Sequence, residues 1–330
     1  MRNNALYFPY IEVPDETWTT RVLLYWDKLS SIVPMDYIDD PGLLSPHMRD
    51  LVHEGLVHQV SPAYYIYRFQ GFEENFINYL ERRLPRMRPY HGRARTRIHI
   101  EKLGQLPNWL LARGLAEPAD YPWYEVEYWV ANAYMAYLAS TLGSIDEIDS
   151  APVTNDVGMS RFFGAFSSNS GIEREELLKE LLPVPAEKVP VGSLIRFKER
   201  YGHLLPPLRE RIELLSQELG AIKDSHERLA RAKNVAYEWN AQIREIEAAM
   251  EFNWKHIVSV NFLPLLGAGG SFYATDPAQQ LLAASSAGLT LAGTAYQTIN
   301  SLQENHRRIN NKPLAYLAFA RRHIQRRAWQ

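Results

Sequence analysis

The chain has 330 residues, a formal net charge of −2 at pH 7 and no cysteine. Its length allows a sizeable core and predicts two domains, or one domain with a long helical extension. The lack of cysteine excludes disulfides, thiolate zinc sites, iron–sulfur clusters and cysteine nucleophiles. The N-terminal residues lack the apolar core of a signal peptide, so we expect a cytoplasmic protein.

The first half of the chain predicts a mixed α/β domain over residues 1–182. Residues 5–13 predict a strand, and residues 17–30 predict a helix with an apolar stripe. Residues 121–142 are dense in aromatic side chains and predict a core helix from about residue 125. Residues 95–101 alternate strictly and predict a strand. That strand would place four polar side chains on one face: Arg95, Arg97, His99 and Glu101.

Positive charge is concentrated in two segments that contain no acid. Residues 82–97 hold seven arginines, and residues 305–330 hold six arginines and one lysine. Such patches are typical of surfaces that bind phosphate or nucleic acid. The more frequent alternative is an exposed surface whose arginines pair with nearby acids. The candidate phosphate- or nucleic-acid-binding residues are Arg82, Arg83, Arg86, Arg88, Arg93, Arg95, Arg97, His99, Arg321, Arg322, Arg326 and Arg327.

The longest uninterrupted pattern runs from Pro207 to about Val260 and predicts one continuous helix. After Pro207 this segment contains no further proline and a single glycine, Gly220. At 1.5 Å per residue such a helix would be about 80 Å long. Its apolar face changes frame near residues 226–232, so we expect different packing partners before and after His226.

The first part of this helix has apolar residues at heptad-like spacing, which is typical of a face that packs on another helix. This pattern predicts self-association or a protein partner. The candidate partner face consists of Leu208, Ile212, Leu215, Leu219, Ile222 and Leu229.

Residues 183–192 contain three prolines and a glycine and mark the clearest domain boundary. We therefore expect a helical domain over residues 193–330, built on the long helix, and a fold that is α+β and mainly α. Residues 257–299 are apolar and rich in glycine and alanine. No run there reaches the roughly 18 apolar residues of a membrane span, so close helix packing is favoured over a membrane-acting effector.

Sequence motifs for known chemistries are missing. There is no H-E-x-x-H and no G-x-S-x-G, and the glycine-rich segment 267–271 lacks the Lys-Ser or Lys-Thr of a phosphate loop. We therefore predict no catalytic residue set, no cofactor and no metal site. A metal-dependent nuclease would need two or three acids and a lysine at the ends of a sheet. The residues that would supply them are Asp36, Asp39, Glu101 and Lys102.

Several short segments give the chain a resemblance to a known family. They include 6–10 (LYFPY), 24–28 (LYWDK), 134–139 (YMAYLA), 195–198 (IRFK) and 313–316 (PLAY). Together with Trp18, 32–34 and 113–116, they resemble an uncharacterised bacterial family, one of the domains of unknown function. The likeness spans nearly the whole chain. It implies no activity and no functional residue.

These features predict a non-enzymatic interaction or scaffold protein that acts in a bacterial multi-component system. Antiviral defence is one such system, and this link rests only on analogy with bacterial families of this kind. The long helix and the arginine-rich surfaces would provide the contacts. The first alternative is a nucleic-acid-binding protein or a metal-dependent nuclease, and the second is a membrane-acting effector that uses residues 257–299.

Overall fold

A computed structural model describes most of the chain, in two compact units. The units are Met1–Glu176 with Val184–Lys198, and Leu177–Pro183 with Glu199–Gln330. The fold is α+β and mainly helical, with two small sheets. The described residues are 2–14, 16–84, 94–156, 174, 177–178, 181–182, 189–224, 226–247 and 312–325.

The first unit contains a parallel sheet and an antiparallel sheet, both short. Its strands are β1 (Asn4–Tyr7), β2 (Leu29–Ile32), β3 (Val57–Val60), β4 (Arg95–His99), β5 (Ala116–Pro118), β6 (Trp123–Glu127) and β7 (Ser150–Val153). Its helices are α1 (Glu16–Tyr25), α2 (Met35–Asp39), α3 (Pro46–His53), α4 (Phe72–Arg83), α5 (Ile100–Leu103), α6 (Leu106–Ala112) and α7 (Tyr128–Gly143). Short 3-10 turns lie at Pro41–Leu43, Pro62–Tyr64 and Ile66–Arg68.

The parallel sheet has the strand order β3-β2-β1-β7. Ala5 in β1 pairs with Leu29 on one side and with Ala151 on the other. Every residue of β2 is buried, as expected for a parallel strand covered on both faces. Because all four strands are parallel, their carboxyl ends lie along one edge. The strand predicted over residues 5–13 stops at Tyr7, near Pro9, which has no N–H to donate to a ladder.

The antiparallel sheet has the order β4-β6-β5 and packs against α7. The strand predicted over residues 95–101 ends at His99, and the next residue begins α5. The helix predicted from residue 125 begins at Tyr128, because residues 123–127 pair with both β4 and β5. Helix α7 is almost entirely apolar and buried, and Phe72 and Phe76 of α4 stack on its Tyr137. The aromatic segment is therefore core, as predicted.

The second unit is helical over its described residues. A helix over Val191–Tyr201 leads into it, and further helices cover Leu205–Ala221, residues 226–247 and Ala315–Gln325. Tyr201 stacks on Phe319 with ring centroids 4.4 Å apart. Arg211 lies over the ring of Trp239, at 4.7 Å from its centroid.

The continuous helix predicted over residues 207–260 is wrong, because the helix that starts at Leu205 ends at Ala221. Ile222 is extended, with ψ at 114°. A new helix then begins with Asp224 as its N-cap, since the Asp224 Oδ1 accepts a hydrogen bond of 2.8 Å from the Glu227 N–H. The N-cap and the low helix propensity of the nearby Gly220 favour a break in the helix, although the apolar periodicity continues across it. Residues 248–260 lie outside the described part of the chain.

We predict that Asp224→Ala destabilises the second unit by about 1 kcal/mol, because it removes this N-cap hydrogen bond. The free energy of unfolding in urea measures the effect. Glu238→Ala, at an exposed position inside the same helix, is the matched control and should change stability by less than about 0.5 kcal/mol. Equal stabilities for the two variants would show that the cap does not define the break.

Helix α7 also comes very close to β7. A Cβ atom at Gly143 would overlap the backbone carbonyl oxygen of Ser150. We predict that Gly143→Ala destabilises the protein by about 1–3 kcal/mol, since neither backbone segment can shift without breaking the sheet. Gly202→Ala has open space around the new methyl group and should leave the thermal midpoint nearly unchanged. A stable Gly143→Ala variant would mean that α7 can slide along the sheet.

Candidate functional site

A cavity of about 320 Å³ opens at the carboxyl edge of the parallel sheet. Segments after β1 and β2 form one side of it, and β4, α5 and the start of α7 form the other. Ser31 holds the segment after β1 in place, since its hydroxyl donates to the Ile11 carbonyl at 2.6 Å. The described residues that line the cavity are Pro9, Tyr10, Ile11, Glu12, Tyr37, Leu43, Thr96, Arg97, Ile98, His99, Lys102, Trp123, Tyr128, Ala131, Asn132 and Met135.

Lys102 is the most unusual group in this cavity wall. It lies on the short helix α5 and is only 3% exposed. Its Nζ donates to the carbonyl oxygen of Pro9 at 3.2 Å, and this is its one hydrogen bond among the described residues. Burial disfavours the charged form and lowers the pKa of the Lys102 amine from 10.5 to about 7. Near neutral pH the site therefore contains both the ammonium and the free amine.

A second lysine of the same unit has backbone acceptors for each of its ammonium protons. The Nζ of Lys198 donates to three carbonyl oxygens at the end of α1, those of Leu23, Trp26 and Asp27, at 3.0, 2.7 and 2.8 Å. All three ammonium protons of Lys198 thus have acceptors. Lys102 has an acceptor for only one, although it is the more deeply buried of the two.

Asp36, His99 and Glu101 form a polar group beside the cavity, with one possible ligand atom of each within 4.8 Å of the others. The His99 Nδ1 accepts from the Glu101 backbone N–H at 3.3 Å, so the imidazole proton is on Nε2, which lies 3.8 Å from the Asp36 carboxylate. The Glu101 Oε2 already accepts from the Met35 N–H at 2.8 Å. For Nε2 to bind a metal, the imidazole proton would have to move to Nδ1, which already accepts from the Glu101 N–H. One Glu101 oxygen is also occupied, so this arrangement favours an Asp–His pair over a metal site.

His99 itself is held in a fixed, dry position. Its side chain is 2% exposed and packs edge-on against Trp123, with ring centroids 5.2 Å apart. Burial lowers the pKa of His99, while the carboxylates of Glu101 and Asp36 act in the opposite direction. The imidazole is therefore neutral at pH 7, and its Nε2 lies 3.8 Å from the Asp36 carboxylate.

Asn132 adds an unsatisfied polar atom to the cavity wall. It lies in the buried part of α7, and its Oδ1 has no hydrogen-bond partner among the described residues. Buried amide oxygens are rarely left without a donor. One turn earlier, the Tyr128 hydroxyl donates to the Asp156 Oδ2 at 2.8 Å, which ties the start of α7 to the segment after β7.

The polar groups of the cavity are mixed in charge. Glu12 is the one carboxylate among its lining residues, and its Oε1 accepts from the Ser45 N–H at 2.8 Å. Arg97 is half exposed, lies 3.6 Å from Asp120 and has its guanidinium 5.7 Å from the centroid of the Trp123 ring. The other titratable groups in the wall are Lys102, His99 and the phenols of Tyr10, Tyr37 and Tyr128. The lining therefore contains two basic side chains, Arg97 and Lys102, and one carboxylate, that of Glu12.

Two of the candidate arginines of the first unit face acids. Arg95 forms an ion pair with Glu117 on β5, and Arg97 faces Asp120. Arg82 and Arg83 are exposed at the end of α4, where Arg83 covers the ring of Tyr79. Arg86, Arg88 and Arg93 lie outside the described residues.

The candidate arginines of the second unit are only partly described. Arg321 donates to the Leu181 carbonyl oxygen at 3.2 Å and to the Asn240 side chain, so it serves the packing of that unit. Arg322 is half buried, and Arg326 and Arg327 lie outside the described residues.

The candidate partner face is mostly buried inside the second unit. Leu208, Ile212, Leu215 and Leu219 are at most 7% exposed. Ile222 is half buried at the helix break, and Leu229 is 43% exposed on the following helix. These residues belong to two helices and do not form one exposed stripe.

Part of this site belongs to the residue set predicted for a nuclease. Of the residues predicted for a hypothetical nuclease, Asp36 and Glu101 lie together and Lys102 lies in the wall of the cavity, whereas Asp39 is exposed on α2. Asn132 and Tyr128 were missed because they lie in the aromatic segment interpreted as core. The only available signal was an asparagine between two alanines in an otherwise apolar helix.

Comparisons with known proteins add no information on this site, since no family model, no curated protein and no solved structure matches the chain. Within the described residues no helix is long and apolar enough to cross a membrane. The segment 257–299 lies outside those residues. The interpretation of the cavity therefore depends on its geometry.

We predict that Lys102→Met changes the pH dependence of stability. The unfolded chain keeps the ordinary lysine pKa of 10.5, whereas the folded pKa is about 7. Between these values the unfolded state binds more protons, so wild-type stability rises with pH in this window, by roughly 1 kcal/mol per pH unit. Below pH 7 the full cost of the buried ammonium is present. The variant should lack this rise in urea unfolding at pH 7, 8 and 9.

Lys233→Met provides the control, because Lys233 is exposed on a helix of the second unit. Its free energy of unfolding should follow the wild-type curve at all three pH values. If the Lys102→Met curve also ran parallel to wild type, the pKa of Lys102 would not be lowered by burial.

Proposed function

We propose that the first unit binds a small organic molecule with a carboxylate or phosphate group in the cavity at the sheet edge. The observation that carries this proposal is the buried Lys102, whose ammonium has one neutral acceptor, the Pro9 carbonyl. A buried cation is costly unless it is paired and fully hydrogen-bonded. An anionic or oxygen-rich ligand in the cavity would supply the missing acceptors.

Three further features of the cavity support the same class of ligand. Arg97 provides a second cation at an exposed position, where it can leave Asp120, since an exposed ion pair contributes little stability. Asn132 offers an unpaired oxygen to a ligand hydroxyl or amine. Trp123, Ile98 and Met135 supply apolar surface for the body of the molecule.

The size and place of the cavity also fit a small ligand. A volume of about 320 Å³ lies at the lower end of the range of small-molecule pockets. In open parallel sheets ligands bind outside the carboxyl ends of the strands, close to where the strand order reverses. In this sheet β2 and β3 follow β1 on one side, whereas β7 pairs with β1 on its other side. The strand order therefore reverses between β1 and β7. The segment after β1, the strand next to that reversal, lines the cavity.

The functions predicted from the sequence are less well supported. The scaffold hypothesis depended on one long helix, and the described helices end and restart at residues 221 and 226. A nucleic-acid surface would need arginines that are free of acids, whereas Arg95 and Arg97 face Glu117 and Asp120. The acids predicted for a nuclease do not all meet, since Asp36 and Glu101 lie together whereas Asp39 is exposed on α2. The cytoplasmic location expected from the sequence remains part of the proposal.

Calorimetric titration tests the proposal with two probes, lactate for the carboxylate and pyridoxine 5′-phosphate for the phosphate. We expect at least one of them to bind the wild-type protein, and more tightly as the pH falls from 8 to 6, because an anion in the cavity favours the ammonium form. A probe at ten times its Kd should stabilise the fold by about 1.4 kcal/mol. That corresponds to a rise in Tm of about 2–4 °C.

Substitutions of the cavity residues test whether the probe binds in the cavity. Lys102→Met should weaken binding of the probe tenfold or more, which is about 1.4 kcal/mol, and Arg97→Ala should weaken it as well. Lys233→Met should bind like wild type. Failure of both probes to bind at millimolar concentration, or unchanged binding by a folded Lys102→Met variant, would overturn the proposal.

A further inference from the structure

The Lys102 amine has the surroundings of a nucleophile as well as of an anion-binding group. Lys102 lines the cavity, and its Nζ touches a neutral carbonyl acceptor and contacts no carboxylate among the described residues. A carboxylate within contact would hold the group as an ammonium, which has no lone pair to react. Amines that react with carbonyl compounds in proteins are made available by desolvation in this way.

A group that can relay protons lies in the same wall. Glu12 lines the cavity, and one of its carboxylate oxygens is anchored by the Ser45 N–H. This hydrogen bond to Oε1 fixes the Glu12 side chain and does not involve Oε2. His99 is a poor candidate for the relay, because its Nδ1 accepts from the Glu101 N–H and its Nε2 carries the proton.

We propose that Lys102 forms a Schiff base with an aldehyde or ketone that also carries a carboxylate or phosphate group. This inference rests on the proposed function, because it assigns the chemistry of the molecule bound in that cavity. The anionic group would lie at Arg97, and the carbonyl carbon would lie at the Nζ of Lys102. The apolar body would contact Trp123 and Met135.

Formation of this Schiff base requires no oxidant or reductant. The Nζ lone pair adds to the carbonyl carbon, and the carbonyl oxygen takes up the proton that nitrogen loses, with Glu12 as the relay. The resulting carbinolamine then loses its hydroxyl group together with the remaining N–H proton as one molecule of water. The product is an imine between Lys102 and the former carbonyl carbon, and water is the only by-product.

Reductive trapping tests the proposal on the wild-type protein. Pyridoxal 5′-phosphate and pyruvate serve as carbonyl probes, one with a phosphate and one with a carboxylate. Borohydride converts each imine into a stable secondary amine, which peptide mass spectrometry locates. We expect the labelled fraction of Lys102 at pH 7 to exceed that of the exposed Lys233 at least tenfold for one of the two probes. The preferred probe identifies the anionic group.

Matched ligands and variants separate this inference from the proposed function. Pyridoxine 5′-phosphate and lactate resemble the two probes but lack the carbonyl, so they should bind without being trapped and should protect Lys102 from labelling. Glu12→Gln should slow the trapping at Lys102 several-fold without weakening lactate binding to the same extent. Lys102→Arg should lose the label at that position.

Two results would contradict the inference in different ways. If pyridoxine 5′-phosphate or lactate binds but Lys102 is labelled no more than Lys233, the Schiff base is wrong and the binding proposal stands. If no probe binds and Lys102 is not labelled, both proposals fail.

Discussion

The burial of the Lys102 amine against the Pro9 carbonyl is the constraint on which this account of the site depends. The amine lies where the end of β1, the helix α5 and the wall of the cavity meet, and it is 3% exposed. A lysine at such a position lowers stability unless it is neutral or meets an anion. The surrounding fold must therefore hold it in place. Helix α7 contributes to this, since the Tyr134 hydroxyl donates to the Lys102 carbonyl oxygen.

The architecture places this amine at an edge that is suited to ligands. A parallel sheet brings the ends of β1, β2 and β7 to one side, and the antiparallel sheet with α5 and α7 covers that side. The cavity is the space left between the two layers. Gly143 allows α7 to lie against β7, so the position of Asn132 and Tyr128 depends on a contact at the other end of the same helix.

Local patterns in the sequence predicted several helices and strands correctly. Contacts between residues far apart in the sequence were not predicted. The alternation from Arg95 predicts the strand β4, and the aromatic density of residues 121–142 predicts the core. Periodicity alone could not show that helix 207–260 stops at Ala221, because an N-cap at Asp224 depends on a single side-chain hydrogen bond. The meeting of Lys102 with Pro9, 93 positions apart in the chain, has no local signal at all.

The most direct test is an NMR titration of the lysine side chains, with the resonance of Lys102 assigned by its loss in Lys102→Arg. The account predicts that this amine titrates near pH 7 and that its midpoint moves to higher pH when lactate or pyridoxine 5′-phosphate is added. A Lys102 resonance that titrates at the ordinary lysine pKa of 10.5, and does not respond to either compound, would contradict it.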